Sequence, residues 1–443
     1  MDFQNFSPPF SREHGGLEKK AEMSRYQKII NSCRTLYELS ETNPMSDAVI
    51  TAVDGRKIKV GNKWLIDYAS CNYLGFDLDK EIMESSSEAV KRFGTYPSWS
   101  RLLGSPSLYQ DIEEKLIDLI GTEDCLLLPS VTLIHFSIIP ILANEGDIFV
   151  DRRAHKTIYD GSTFAKSVGA NVHKFNHNDL GQLELLLKMS DAKSKLICID
   201  GVYSMSGNYP DIPKFARLAR EHNATLYVDD AHGFGVIGER SHDELCPYGK
   251  KGNSIIKYFN ETYDNVIFVA SLSKAYSALI GFVACSTKLK NFLKSTAAPY
   301  LYSGPAPIAT LANLKKSFEV NEKRGDQLRA DLYRRTKKFL DFIREEKIKT
   351  FNETDFPIIE LPLANAEDVY RTGEFLFEKG IYVTLSPYPL VPRDEAGFRI
   401  QITAANTDQE IDYLIRVIKE VKDKIGFQTK EYATNGHSTK IYS

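Results

Sequence analysis

The stretch Thr225–Gly238, TLYVDDAHGFGVIG, decides the fold. Its opening residues are β-formers in a short apolar run, the pattern of a strand buried on both faces of a sheet. The run ends on a carboxylate, Asp229, and passes through Asp230, Ala231 and His232 into a glycine-rich segment. Gly233-Phe-Gly235-Val-Ile-Gly238 matches the G-x-G-x-x-G dinucleotide fingerprint, but that fingerprint needs its glycines in the strand-to-helix turn. Here three residues intervene, and the GERSHDELCPYGKKGN that follows carries no helical apolar stripe. A glycine-rich loop is expected, with no nicotinamide cofactor on it.

Outward from this strand the same grammar repeats. Asp147–Val150, Leu196–Asp200, Val266–Ala270 and Gly281–Cys285 are further short buried strands, and Ser107–Leu119 and Ile212–His222 are helical stripes between them. This alternation predicts a large, doubly wound, mostly parallel α/β domain. Upstream, Val60, Trp64, Leu65, Ile66 and Tyr68 suggest a hairpin before a turn at Asn72–Gly75. An amphipathic helix is expected around Tyr26–Leu39. Downstream, helices over Ile308–Val320 and Gln327–Glu346 lead to strands at Pro357–Leu361, Ile381–Leu385 and Phe398–Ile402. Helices at Ala366–Lys379 and Asp408–Val421 complete a smaller C-terminal α+β domain. The division expected is an N-terminal extension over 1–46, the large domain over 47–320, the small domain over 321–427, and a polar, disordered tail over 428–443.

Composition narrows the function. The chain has 443 residues, 42% hydrophobic and 26% charged, enough to bury a core without disulfides. Its net charge of −3 offers no field for nucleic acid or an anionic membrane, and no apolar run is long enough to span a bilayer. The first residues lack the apolar centre of a secretory signal. The six cysteines are scattered without a CxxC pair, as expected of reduced thiols in a cytoplasmic protein that binds no structural metal.

Several chemical groups stand just beyond predicted strands: Asp229, Lys274 in Ser271-Leu-Ser273-Lys274, His155, and Ser204. Singly, each has a plain reading, as a solvated lysine, a turn-capping aspartate or a structural histidine. Together they belong to one crevice, because open α/β sheets collect ligands beyond the carboxyl ends of their strands. Pyridoxal 5'-phosphate needs such a set: a lysine for a Schiff base, a carboxylate to keep its ring nitrogen protonated, hydroxyls and N–H groups for its phosphate, and a flat group on its ring.

The residues resemble the α-oxoamine synthases, a family of fold-type I pyridoxal phosphate enzymes, over about Ile66 to Val421. Asn72-Tyr73-Leu74-Gly75, His177-Asn178-Asp179, Gly201-Val202-Tyr203-Ser204-Met205, VDDAHGFGVIG, Ser271-Leu-Ser273-Lys274 and Phe398-Arg399-Ile400 through Ala404-Ala405-Asn406-Thr407 are similar to its motifs in order and spacing. The resemblance implies that Lys274 holds the cofactor and removes the α-proton of the substrate. It implies that Asp229 meets the ring nitrogen, that His155 stacks on the ring, and that His232 and Ser204 contact the phenolate oxygen. Ser271, Ser273 and the backbone of Val131 and Thr132 after Ser130 would cradle the phosphate. Arg399 would bind the substrate carboxylate, with Asn72 and Arg101 beside the substrate. Ser303-Gly304 would reach the neighbouring subunit's phosphate in a homodimer.

The sequence departs from the family where the G-x-G-[GS]-[ST]-R segment reads Thr95-Tyr96-Pro97-Ser98-Trp99-Ser100-Arg101, at Tyr109, at Val131-Thr132 and at Ile280-Gly281. These departures point to a specialised acyl-amino-ketone synthase rather than a primary-metabolism biotin or haem enzyme. The activity implied is decarboxylative condensation of a small α-amino acid with an acyl thioester of coenzyme A or an acyl carrier protein. Transamination, aldol-type cleavage and a catalytically silent family subunit stay open as alternatives.

Overall fold

The computed structural model describes residues 34, 35 and 37–432. The N-terminal part of the helix expected at Tyr26–Leu39, and residues 433–443 of the expected tail, lie outside the described residues.

The centre of the large domain is a seven-stranded sheet in the order Asp124–Leu128, Gly281–Cys285, Val266–Ser271, Thr225–Asp229, Lys195–Asp200, Asp147–Asp151, Asn171–Phe175. Only Gly281–Cys285 runs antiparallel to its neighbours; the rest pair in parallel. The strands are apolar throughout because both faces are covered. Ile197, Ile199, Leu226 and Val228 point into one hydrophobic cluster, and Leu196, Cys198 and Tyr227 into the other. The second cluster is roofed by the helices Val131–Ala143 and Lys156–Ala165, which pack on each other. Four neighbouring parallel strands end on polar residues, Asp151, Asp200, Asp229 and Ser271, so the carboxyl edge of the sheet carries the chemistry.

Two strands escape the sequence reading. Asp124–Leu128 and Asn171–Phe175 form the two edges, and Asn171–Phe175 is buried only at its last residue, so it lacks the continuous apolar signal of its neighbours. Upstream, the expected hairpin is a three-stranded meander, Ile50–Asp54, Lys57–Val60 and Lys63–Asp67. Ile381–Tyr382 joins it in parallel from the C-terminal part, so the single strand expected at Ile381–Leu385 splits between two sheets. Its second half, Thr384–Ser386, flanks Gly397–Gln401, whose other neighbour is Ile358–Pro362.

The two helices expected around residue 320 are one, Ile308–Glu345, and the boundary expected at 320/321 falls inside it. Its apolar stripe is interrupted at Asn321, Gly325 and Arg329 for a physical reason. Arg329 is fully buried and donates to the Gly235 carbonyl at 2.9 Å and to Asn321 Oδ1 at 2.8 Å. A Cβ on Gly325 would lie 2.8 Å from that guanidinium. The helix thus grips the glycine-rich loop from behind. The loop's glycines answer to packing: Gly235 has φ +89° and would meet the Ala275 Cβ at 2.5 Å, and a Cβ on Gly238 would fall 2.0 Å from the Lys250 carbonyl.

Both ends of the described span are tied to the body of the protein. Leu39 and Met45 are buried, and Asn43 donates to the Tyr370 carbonyl at 2.8 Å. Residues 428–432, expected to be disordered, pair instead: Lys349 N–H donates to the Gln428 carbonyl at 2.8 Å, and Tyr432 donates to the Ile348 carbonyl at 2.8 Å. No described helix is long and apolar enough to cross a membrane.

Candidate active site

A pocket opens at the carboxyl edge of the sheet, walled by Val131, His155, Asp229, His232 and Lys274 together with Asp200, Val202 and Ala231. The first five are residues singled out from the sequence. The last three are not, although Asp200 ends its strand as Asp229 does.

Each wall residue is placed by local structure. Lys274 follows the strand Val266–Ser271 in a tight turn closed by Ser277 N–H donating to the Lys274 carbonyl at 3.0 Å. Its amine has no hydrogen-bond or ion-pair partner among the described residues, which is costly for a half-buried ammonium unless a ligand engages it. Asp229 accepts the Ala231 N–H at 3.0 Å through Oδ1. Burial pushes its carboxyl up, but His135, Lys274 and His155 outweigh burial and hold it below the usual range. Asp200, in register with Asp229 on the next strand, is held well above the usual range by burial and then by the Asp229 charge.

His155 caps the helix Lys156–Ala165, its backbone N–H donating to Asp200 Oδ1 at 3.0 Å. Asp151 fixes the loop before it, accepting Arg153 N–H at 2.7 Å and Asn178 N–H at 2.9 Å, with His177 Nδ1 at 3.1 Å. His177-Asn178 is therefore a brace rather than part of the pocket wall. His232 contacts the Tyr73 hydroxyl through Nδ1 at 2.8 Å. Burial, followed by the Lys274 and Arg399 charges, drives its pKa well down, so the imidazole is neutral. Burial keeps Tyr73 a phenol, able to donate to His232 Nδ1 or accept from it. Tyr73 was legible only as part of its motif.

One side of the pocket is a cradle. Ser130 caps the helix Val131–Ala143, accepting the Leu133 N–H at 3.3 Å. The N–H groups of Val131 and Thr132 belong to the first turn and have no helical acceptor. Gly281 pairs with Leu128 on one side and Ser271 on the other, which brings the Ser271 and Ser273 hydroxyls, 2.6 Å apart, alongside this helix end. A Cβ on Gly281 would lie 2.8 Å from the Val131 nitrogen. Such a helix start with hydroxyls beside it suits a phosphate.

The remaining sequence-predicted residues fall at different distances from this centre. Arg399 reaches in from the small sheet and donates through Nη1 to the Ser204 carbonyl at 2.7 Å, and its charge is felt by both His155 and His232. Asn72 accepts from Ser277 at 3.1 Å and so braces the Lys274 turn. Ser303 donates to the Gly304 carbonyl at 3.1 Å, and Gly304 lies against the Tyr96 hydroxyl, away from the pocket wall. Arg101 is not brought to the pocket. Its buried guanidinium contacts Glu113 at 3.2 Å, donates to the Leu127 carbonyl at 2.7 Å and stacks 3.9 Å from the Tyr109 ring centre.

An unpaired lysine, a buried anionic aspartate, a histidine beside them and a phosphate cradle fit pyridoxal phosphate, and residues 65–418 match the aminotransferase class I and II family. The chain belongs to that family. Within it, the chain is a pyridoxal phosphate-dependent acyltransferase of the α-oxoamine synthase group. It is 31% identical over 88% of its length to the 8-amino-7-oxononanoate synthase of Thermosipho melanesiensis, covering 95% of that protein. It is 27% identical over 84% of its length to the serine palmitoyltransferase of Bacteroides ovatus, covering 92% of that protein. Its fold matches that of the Sphingomonas wittichii serine palmitoyltransferase, with a TM-score of 0.81 at 22% identity over 90% of this chain and 98% of the other. The Francisella tularensis 8-amino-7-oxononanoate synthase gives a TM-score of 0.66 at 24% identity over 81% and 98%.

Proposed function

We propose that this α-oxoamine synthase condenses a small α-amino acid with an acyl thioester, carried by coenzyme A or an acyl carrier protein, releasing CO₂ and the thiol and leaving an α-amino ketone. The observation that carries the reading is the unpartnered Lys274 amine at the mouth of a pocket that also holds an anionic Asp229.

Bound there, pyridoxal phosphate supplies an electron sink for the pair left behind when an α-bond breaks. The chain's own residues do the rest. Asp229 would keep a proton on the ring nitrogen, and His155 would cover the ring. His232 and Ser204 would meet the phenolate oxygen. Ser130, Val131, Thr132, Ser271 and Ser273 would hold the phosphate. Arg399 would grip the amino-acid carboxylate and so orient the amino acid. Lys274 takes the α-proton, and the α-carbon then attacks the thioester carbonyl as the thiolate leaves. Loss of CO₂ and return of the proton complete the reaction.

The working unit is assigned as a homodimer in the cytoplasm. Leu279 and Tyr302, in the segments that carry Lys274 and Ser303-Gly304, expose apolar side chains, which supports a subunit interface there. Free Cys71, Cys125, Cys198, Cys246 and Cys285 suit a reducing compartment.

Incubation with single amino acids and acyl thioesters tests the reaction. Stoichiometric thiol and CO₂ are expected; a keto acid or an aldehyde in their place replaces condensation by transamination or aldol cleavage, and a purified protein that takes up no cofactor is the silent subunit.

A further inference from the structure

His135 and Thr157 lie behind the pocket wall. His135 is completely buried in a helix whose other side chains are almost all apolar, so both its ring nitrogens need partners. Nδ1 is 2.8 Å from Thr157 Oγ1, and Nε2 lies 3.3 Å from Asp229 Oδ2, at ion-pair distance but without the alignment of a hydrogen bond. Thr157 Oγ1 is in turn 2.7 Å from His155 Nδ1. A continuous polar chain therefore joins the ring-stacking histidine to the carboxylate: His155, Thr157, His135, Asp229.

One hydroxyl hydrogen decides its direction. The Thr157 backbone N–H points at His155 Nδ1, 3.4 Å away, as the helix cap, so that nitrogen accepts and carries no hydrogen. The Thr157 hydroxyl then donates to it as well, leaving only oxygen lone pairs for His135. His135 Nδ1 must carry a hydrogen. His155, whose pKa burial lowers, is then neutral and presents Nε2–H. Against the His135 ring stand Asp229, Thr157 and the edge of Tyr227, centroids 5.8 Å apart; His155 lies beyond Thr157, and burial keeps Tyr227 uncharged. Asp229 is the carboxylate that touches it.

We propose that Thr157 and His135 form a positioning relay that holds Asp229 as the anion facing the cofactor's ring nitrogen and fixes the tautomer of His155. The relay rests on the roles given above to Asp229 and His155. It makes the charge opposite the ring nitrogen and the hydrogen-bonding face of the stacking histidine one linked state rather than two.

Nitrogen-15 NMR of the holoenzyme with labelled histidine, assigned with His135→Gln and His155→Gln, reads the relay directly. Expected are a hydrogen on Nδ1 of His135 and a hydrogen on Nε2 alone for His155. In Thr157→Val, the His135 Nδ1 resonance should leave its hydrogen-bonded position, and the pH midpoint of the holoenzyme's visible absorbance should shift by more than about one unit, a tenfold change in proton affinity. Thr157→Ser should restore both. A purely structural threonine would lower thermal stability and leave the midpoint in place, overturning the proposal. So would a wild-type His135 that is neutral with a bare Nδ1, a result that needs no variant to fold. If the expected resonances appear in a protein that condenses nothing, the relay stands and the assigned reaction fails.

Discussion

Asp200 and Asp229 are in-register neighbours on adjacent parallel strands, and their carboxyl groups are shifted in opposite directions, Asp229 below the usual range and Asp200 well above it. Each buried charge disfavours the other. His135 and then Lys274 hold Asp229 down, whereas at Asp200 burial and the Asp229 charge outweigh the His155 N–H and the more weakly felt Lys274. Replacement of Asp229 by Asn should retain some cofactor but slow α-hydrogen exchange in deuterated water by about 10²-fold or more, on the scale of losing one electrostatic stabiliser. Asp200→Asn reproduces the neutral acid and still accepts the His155 N–H, so its loss should stay under about tenfold. Equal losses in the two variants would refute the division of charge.

Borohydride treatment of the purified, yellow holoenzyme should fix the cofactor covalently on Lys274, since that lysine has an unpartnered amine at the pocket. Peptide mapping by mass spectrometry locates the adduct. Its appearance on another lysine would move the site elsewhere, and Lys274→Ala should show none.

Gly281 tests the phosphate cradle. An alanine Cβ would stand 2.8 Å from the Val131 nitrogen and 2.9 Å from Ile134 Cδ1, so the helix start must back away from the bound phosphate. Overpacking of this kind costs about 1–3 kcal/mol, and a cofactor that relies on the displaced N–H groups should bind about tenfold or more weakly. Equilibrium dialysis of the apoprotein measures it. Unchanged affinity in a folded Gly281→Ala would place the phosphate elsewhere.

Legibility in the sequence followed burial. The central strands were readable because burial on both faces leaves a continuous apolar run, while the edge strand Asn171–Phe175, with one buried residue, left no such trace. The long helix looked broken because Asn321 and Arg329 interrupt its stripe, and their reason, the grip on the Gly235 carbonyl, lies 94 residues away in the chain. Lys274, Asp229, His155 and His232 were visible as polar groups beyond strand ends. His135 was not, although it is the one titratable side chain in VTLIHFSIIPILA, because a helix sequence does not say which strand end its face will meet. Arg101 was expected beside the substrate; its partner in the structure is Glu113 on the helix Leu108–Ile120, a contact that spacing alone does not reveal.

The substrate clamp is tested through a second pair, Arg399 and Glu360, cross-strand partners in the small sheet. Arg399 makes no salt bridge among the described residues, and its Nε is buried without a partner. Glu360 does not neutralise it, because burial and then the nearby Glu395 charge push the Glu360 carboxyl up to about 8. At neutral pH the acid is protonated and the guanidinium is free for a substrate carboxylate. Above about pH 8 Glu360 ionises and competes, so the amino-acid KM should rise there. Stability follows the same group with a definite sign: a folded pKa raised from 4.5 to about 8 stabilises fully below the lower value and is lost as pH climbs to the upper one, at up to about 1.4 kcal/mol per unit. Glu360→Gln should flatten both profiles. Arg399→Lys keeps the charge but loses the two-pronged geometry, so it should raise the amino-acid KM about tenfold or more, leaving cofactor content and Tm nearly as they were. A destabilised Arg399→Lys protein with unaltered amino-acid affinity would make the arginine a structural tie to Ser204 and remove it from the site.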